Sequence, residues 1–342
     1  MPYFGVCVDA AASADYNPAL YKYDGAAISK VCTVAATRGD QPVVAFSPEG
    51  DAFFSFYDYT GKFANVYAIS GSAATAVGPT NLLYRPLTSS YYSTMGLAPL
   101  SSSNVYLAYG VNAASGSLAK RSLNLCNWNG SAWTQEMGIA GRNVADYGYE
   151  VYSKMVGDAA YMLVFNQNNQ ALSLYKFDAA GVSTVFENLG FKQPLDPAAD
   201  AKINLYGLGF DIASDGTPYI LCLPENGSST GSTYSPAVYK FNSSDSTFSL
   251  VGGVLSDVDG QAGRYVAMAL DGNDIPYLTY VQDKKAYYTY VDAKTKIWVT
   301  PVLLSDEETS NLSIGFSADG VGYISCAVAS GKNSYAVLYS TK

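Results

Sequence analysis

An all-β fold is what the sequence predicts, on three observations. Tyrosine is abundant, at 30 of 342 residues, and charged residues make up only 14%, against about 25% in ordinary soluble domains. Tyr, Val and Thr suit pleated, half-buried surfaces, while the helix-forming surface residues Glu, Lys, Gln and Arg are scarce. Short apolar runs are punctuated along the whole chain by Asp-Gly, Glu-Gly and similar turns, where Gly supplies the positive φ of a tight hairpin.

The runs and turns repeat. Phe46-Ser47-Pro48-Glu49-Gly50-Asp51-Ala52-Phe53-Phe54, Ile212-Ala213-Ser214-Asp215-Gly216-Thr217-Pro218-Tyr219-Ile220, Leu270-Asp271-Gly272-Asn273-Asp274-Ile275-Pro276-Tyr277-Leu278 and Phe316-Ser317-Ala318-Asp319-Gly320-Val321-Gly322-Tyr323-Ile324 align with one another. Each is an apolar strand, an Asp-Gly or Glu-Gly turn, and a second strand opening on an aromatic. Weaker copies fall near Ser103 and Gly157. A second landmark follows, a hairpin with an aromatic before its turn, as in Tyr21-Lys22-Tyr23-Asp24-Gly25, Cys126-Asn127-Trp128-Asn129-Gly130, Tyr175-Lys176-Phe177-Asp178, Tyr239-Lys240-Phe241-Asn242 and Tyr290-Val291-Asp292-Ala293. Each unit therefore holds four antiparallel strands, a to d, and recurs about every 48–59 residues.

In chain order, residues 1–37 supply strands b, c and d, because Pro2-Tyr3 aligns with Pro218-Tyr219; the inner strand a of that unit is expected upstream of Met1. Complete units are expected over 38–84, 85–140, 141–194, 195–257 and 258–306. The stretch 307–342 supplies a, b and c. Four-stranded units at this period are the mark of a β-propeller blade. The predicted fold is one β-propeller domain over 1–342, seven-bladed, with six or eight as alternatives. The turn pattern resembles the divergent propeller repeats of bacterial secreted and surface proteins, a resemblance of architecture. It lacks the Asp box of sialidases and the Trp-Asp dipeptide of WD40 repeats.

Composition also excludes functions. The chain has no histidine, which removes Ser-His-Asp and Cys-His nucleophile activation, an imidazole base and any His-containing metal site. A net charge of −9 opposes nucleic-acid binding, which rests on neutralising phosphates. No window of 18 apolar residues predicts a membrane helix, and the start shows no signal-peptide pattern. The five cysteines, Cys7, Cys32, Cys126, Cys222 and Cys326, are widely spaced in apolar runs and read as small buried hydrophobes. No cofactor, metal site or catalytic residue is assigned.

The sharpest candidate site lies in the connections from strand d to the next strand a. Four of the five arginines, Arg38, Arg85, Arg142 and Arg264, sit in stretches leading into inner strands, and Lys202 holds a similar place. Converging at a channel mouth, they suit a carboxylate, sulfate or phosphate. The competing reading is inter-blade ion pairing, since Asp40, Asp146, Asp200, Asp257, Asp259 and Asp306 share these connections. Tyr149, Tyr206 and Tyr265 are expected on inner strands beside the cations, completing the ligand-binding set; Tyr152 shares that placement, and Tyr16 and Tyr234 are expected on b–c loops. Among scattered acids, Glu150 and Asp211 fall in or beside inner strands and are the two to weigh for glycoside chemistry, with a solvated or turn-capping role as the favoured reading of each. Trp128, Trp133 and Trp298 lie near c–d turns and read as structural. The long b–c loop from Pro224 to Pro236 is flexible by composition.

These features predict a non-enzymatic, extracytoplasmic binding module whose ligand is a carbohydrate, a small anion or another polar polymer. A propeller hydrolase or lyase acting on an anionic glycan is the first alternative, and a scaffold for protein partners the second.

Overall fold

The computed structural model describes residues 2–9, 16–34, 39–58, 61, 63–80, 83–84, 95–112, 121–135, 149–166, 170–192, 208–226, 233–253, 255, 266–330 and 333–341. Among them every regular element is a strand, and the strands form seven antiparallel blades in chain order: a seven-bladed β-propeller, as the repeat predicts. By contact the chain divides into two compact units, Met1–Asn188 and Leu189–Lys342.

In the first unit, blade 1 is β1 (Tyr3–Asp9), β2 (Tyr16–Tyr23) and β3 (Ile28–Thr33). Blade 2 is β4 (Gly39–Phe46), β5 (Ala52–Asp58), β6 (Phe63–Ser70) and β7 (Ala73–Ala76), with the short β8 (Leu83–Tyr84) added to β6. Blade 3 is β9 (Met95–Ser101), β10 (Asn104–Asn112), β11 (Arg121–Trp128) and β12 (Trp133–Gln135); blade 4 is β13 (Tyr149–Val156), β14 (Ala159–Asn166), β15 (Ala171–Asp178) and β16 (Gly181–Gly190). In the second unit, blade 5 is β17 (Gly209–Ile212), β18 (Pro218–Cys222), β21 (Ala237–Asn242) and β22 (Thr247–Val251). Between β18 and β21 lie two short strands, β19 (Glu225–Asn226) and β20 (Thr233–Tyr234). Blade 6 is β23 (Val266–Leu270), β24 (Pro276–Gln282), β25 (Lys285–Tyr290) and β26 (Val302–Ser305). Blade 7 is β27 (Thr309–Phe316), β28 (Gly322–Ser330) and β29 (Asn333–Ser340).

The a–b turn has one geometry in four blades. Ser47, Ala213, Asp271 and Ser317 each accept from an amide three residues on, at 2.8–3.0 Å, and donate to a carbonyl four residues on. The fourth position is left-handed: Gly50 (φ 88), Gly216 (φ 84), Gly320 (φ 76) and, in blade 6, Asp274 (φ 59). The blade 6 turn therefore differs from the Asp-Gly reading. Gly272 is not its left-handed residue; Asp274 takes that place, which aspartate tolerates better than most side chains.

The c–d turns of blades 1 and 6 are Asx turns. Asp24 Oδ1 accepts from the Ala26 and Ala27 amides at 3.0 and 2.9 Å, and Asp292 Oδ1 from Lys294 and Thr295 at 3.0 and 2.7 Å. Amides lower the carboxyls of Asp24 and Asp292 below the usual range of about 3.8; Lys176 and the Ala180 amide do so for Asp178, and the Thr217 hydroxyl and amide for Asp215. A depressed folded value means each group stabilises the fold above its unfolded pKa and loses that contribution as pH falls through the folded one. Urea midpoints are therefore expected to fall between about pH 6 and about pH 3, less steeply in the chain carrying Asp24→Asn and Asp292→Asn.

Blades pack through one recurring plug, the apolar residue just after strand d. Val34 packs with Phe54 and Phe56 of blade 2, Val77 with Leu107, Tyr109 and Cys126 of blade 3, Phe191 on Tyr239 and Phe248 of blade 5 at 4.8 and 4.4 Å between centroids, and Leu255 with Leu278 and Tyr280 of blade 6. Burying each is worth about 1.5–3 kcal/mol. The Val34 amide donates to Pro18 O as the Val77 amide does to Val66 O, both at 2.9 Å, which gives β2 and β3 the c and d roles. Cys32, Cys126, Cys222 and Cys326 are buried, and burial pushes the thiol of Cys326 up to about 11. The Ser55 hydroxyl of β5 is fully buried and has no hydrogen-bond partner among the described residues. Because an unpaired buried hydroxyl costs about 1–3 kcal/mol, Ser55→Ala is expected to leave the melting temperature unchanged or raise it.

Candidate functional site

In blades 2 to 6 four strands run antiparallel in the order a-b-c-d, so within a blade the b–c loop and the d–a connections share one end. The candidate cations all belong to d–a connections. Arg38 immediately precedes β4 and Arg264 lies two residues before β23; Arg85, Arg142 and Lys202 lie ahead of β9, β13 and β17. These five residues, with Tyr206 and Tyr265, are outside the described residues. Tyr149 opens β13 opposite Asn166. Tyr152 is on β13 and half-buried. Tyr16, expected in a loop, opens β2 opposite Asp9. Tyr234 belongs to a two-stranded ribbon in which Glu225 pairs with Tyr234 and Asn226 with Thr233; the long loop from Pro224 is thus closed at its base by a ladder that its Gly/Ser-rich composition hides.

The fully described connection joins blades 6 and 7 and is held on all sides. Glu307 N donates to Ser305 Oγ at 3.2 Å, Thr309 Oγ1 to Glu307 O at 2.9 Å, Thr309 N to Lys284 O at 2.9 Å and Ala329 N to Glu308 O at 2.8 Å. On top, the Tyr335 phenol donates to Glu307 Oε2 at 2.7 Å, and this bond raises the phenol's pKa. Lys284 Nζ lies 3.0 Å from Glu308 Oε2, with both side chains exposed; such a pair is worth at most about 1 kcal/mol. Lys284 is carried by a two-residue turn between Gln282 and Lys285, with Asp283 (φ 49) and Lys284 (φ 64) both left-handed. Asp306 is exposed on the same connection.

Of the two acids weighed for glycoside chemistry, Glu150 lies on β13 opposite Phe165. Asp211 is buried on β17, and its role is to join inner strands. Oδ1 accepts from the Ile212 amide at 2.7 Å and Oδ2 from the Leu270 amide at the end of β23 at 2.8 Å. Ser153 does the same for blades 3 and 4: its hydroxyl accepts from Leu97 N at 2.8 Å and donates to Leu97 O at 2.9 Å.

The tryptophans clamp neighbouring blades, in line with their structural reading. Trp133 Nε1 donates to Val77 O at 2.8 Å and Trp298 Nε1 to Gly253 O at 3.1 Å. A Cβ on left-handed Gly78 would lie 2.6 Å from Trp128 and 2.9 Å from Trp133, and one on left-handed Gly252 2.7 Å from Trp298, so only glycine fits. Tyr239 OH makes the equivalent bond to Lys192 O at 3.0 Å. No group of three or more His, Cys, Asp or Glu among the described residues is placed to hold a metal ion, and no helix among them is long and apolar enough to cross a membrane.

No family model matches the chain, and no curated protein matches its sequence. Among solved structures it is similar to the polysaccharide lyase Uly1, at 10% identity and a TM-score of 0.54 over 99% of this chain and 86% of that one. It is also similar to the Aleuria aurantia lectin, solved in complex with Fucalpha1-6GlcNAc, at 13% identity and a TM-score of 0.51 over 87% of this chain and 94% of the lectin. At this identity the likeness is one of fold: the chain is built like these proteins.

Proposed function

We propose that the chain is an extracytoplasmic saccharide-binding propeller that takes its ligand at the end of the blades bearing the d–a connections. Arg38, Arg85, Arg142, Lys202 and Arg264 recognise acidic or hydroxyl groups, and Tyr149, Tyr206 and Tyr265 supply ring faces. The observation that supports this reading is one of sequence: four of the five arginines fall in the stretches that lead from one blade into the first strand of the next. Guanidinium groups form bidentate hydrogen bonds to carboxylates and sulfates, and tyrosine rings offer amphipathic contact area. In a chain of net charge −9, a local set of cations favours a ligand with discrete acidic groups over a long polyanion, which the overall field repels. The likeness to a lectin and to a polysaccharide lyase is consistent with a glycan ligand.

The test is a thermal-shift screen of neutral, uronate and sulfated oligosaccharides, followed by product analysis for any that stabilise. Stabilisation by a saccharide without turnover supports binding; turnover assigns the site to a hydrolase or lyase; no response to any saccharide removes the proposal.

A further inference from the structure

The c–d turn of blade 3, between β11 and β12, repeats the geometry of blade 1's. In each, the first residue's amide donates to the carbonyl three residues on, Asp24 to Ala27 at 3.3 Å and Asn129 to Ala132 at 3.2 Å. In each, the second residue is a left-handed glycine, Gly25 (φ 99) or Gly130 (φ 89). The first residue's Oδ1 then accepts the amides that follow the glycine. These are Ala26 and Ala27 at 3.0 and 2.9 Å in blade 1, and Ser131 and Ala132 at 3.1 and 3.0 Å in blade 3. Blade 1 carries a carboxylate at this place and blade 3 a carboxamide. Blade 3 also adds a donor, because the Ser131 hydroxyl meets Asn129 Oδ1 at 2.8 Å. The whole turn from Asn129 to Ala132 is exposed.

We propose that Asn129 is a self-modification site, deamidated to aspartate by attack of the Gly130 amide with the Oδ1 donors assisting. The Gly130 nitrogen loses its proton to hydroxide and forms a bond to Asn129 Cγ. The Cγ–Nδ2 bond breaks, and Nδ2 takes up a proton and leaves as ammonia. Solvent water then opens the succinimide at one of its carbonyls, giving aspartate or isoaspartate. Nothing is oxidised or reduced, and the net change is water consumed and ammonia released. Glycine has no Cβ to hinder the approach of its nitrogen. The Ser131 amide, Ser131 hydroxyl and Ala132 amide all point at Oδ1, where negative charge gathers as Cγ becomes tetrahedral, the arrangement that stabilises an oxyanion in acyl transfer. The aspartate product reproduces a turn that blade 1 already holds, with charge-assisted bonds to the new carboxylate. Asp24-Gly25 shares the geometry and not the reactivity: amides hold the Asp24 carboxyl below its usual range, so it is ionised at neutral pH, and a carboxylate resists nucleophilic attack. The chain's other Asn-Gly pair, Asn226-Gly227, begins on the β19–β20 ladder and serves as the internal comparison.

Peptide mapping of the full chain by mass spectrometry, during incubation without saccharide at neutral to mildly alkaline pH, tests the proposal. The expected result is replacement of NH₂ by OH at Asn129 at least about tenfold faster than at Asn226, and faster still as pH rises. Ser131→Ala gives blade 3 the Gly-Ala-Ala of blade 1; it is expected to slow conversion about tenfold with an unchanged thermal melt. In urea, where the donors disperse, parent and Ser131→Ala are expected to react alike. Asn129→Asp, which is the product, is expected to melt with the parent. Asn129 that stays intact, or converts no faster than Asn226, overturns the proposal. So does parent-like conversion in folded Ser131→Ala, a difference between the two that persists in urea, or an Asn129→Asp chain that melts well below the parent.

Discussion

Asp211→Ala is expected to lower the stability of the second unit by about 3 kcal/mol. The carboxyl is buried with both oxygens accepting backbone amides, Ile212 on its own strand and Leu270 on the next blade's inner strand. Truncation leaves two buried N–H groups unpaired, and each unmet buried donor costs about 1–3 kcal/mol. Asp211→Asn keeps an acceptor for one amide and turns an NH₂ toward the other, so about half the loss is expected. Guanidinium midpoints of the two variants against the parent measure this. Equal midpoints in all three proteins would show that the blade 5 to blade 6 bridge contributes nothing.

Trp133→Ala is expected to cost about 3 kcal/mol, in the range of large aromatic truncations and at its lower end because the ring is only half-buried. Two losses contribute. The ring leaves the cluster it packs against, beside Trp128 at 5.9 Å between centroids, and the Nε1 bond to Val77 O disappears. Trp133→Phe keeps most of the ring and removes only the bond, so it is expected to lose about 1 kcal/mol. Gly78→Ala, which combines a left-handed φ of 77° with a Cβ 2.6 Å from Trp128, attacks the same clamp from the preceding blade. A Phe variant as unstable as the Ala variant would assign the whole effect to the hydrogen bond and contradict the packing account.

The blade count was legible because the a–b hairpin needs a left-handed residue at a fixed place, and Gly50, Gly216 and Gly320 mark it. Blade 6 shows where that reading slips. Asp274 takes the left-handed position, and its carboxylate also binds the Ser214 amide and hydroxyl of blade 5's turn, a link no local pattern announces. The same holds for Ser153 with Leu97, Trp133 with Val77 and Asp211 with Leu270. Their partners are 56, 56 and 59 residues away, about one repeat, so the spacing names the neighbouring blade but not the atom that meets it. Asp211 could be weighed for glycoside chemistry beside a turn-capping role because a lone acid on an apolar inner strand has the same sequence signature whether it faces a ligand or a backbone amide. Cys222 was legible as a packing residue because Leu221 and Leu223 flank it in an apolar run.

The cation set at the d–a connections is the central claim, and titration of a stabilising saccharide into the chain carrying Arg38→Ala, Arg85→Ala, Arg142→Ala and Arg264→Ala tests it most directly. The account predicts an affinity at least about a hundredfold below the parent's, with an unchanged thermal melt in the absence of ligand. Parent-like affinity in that variant, or a fold that fails without the four arginines, would contradict it and assign them to ion pairs between blades.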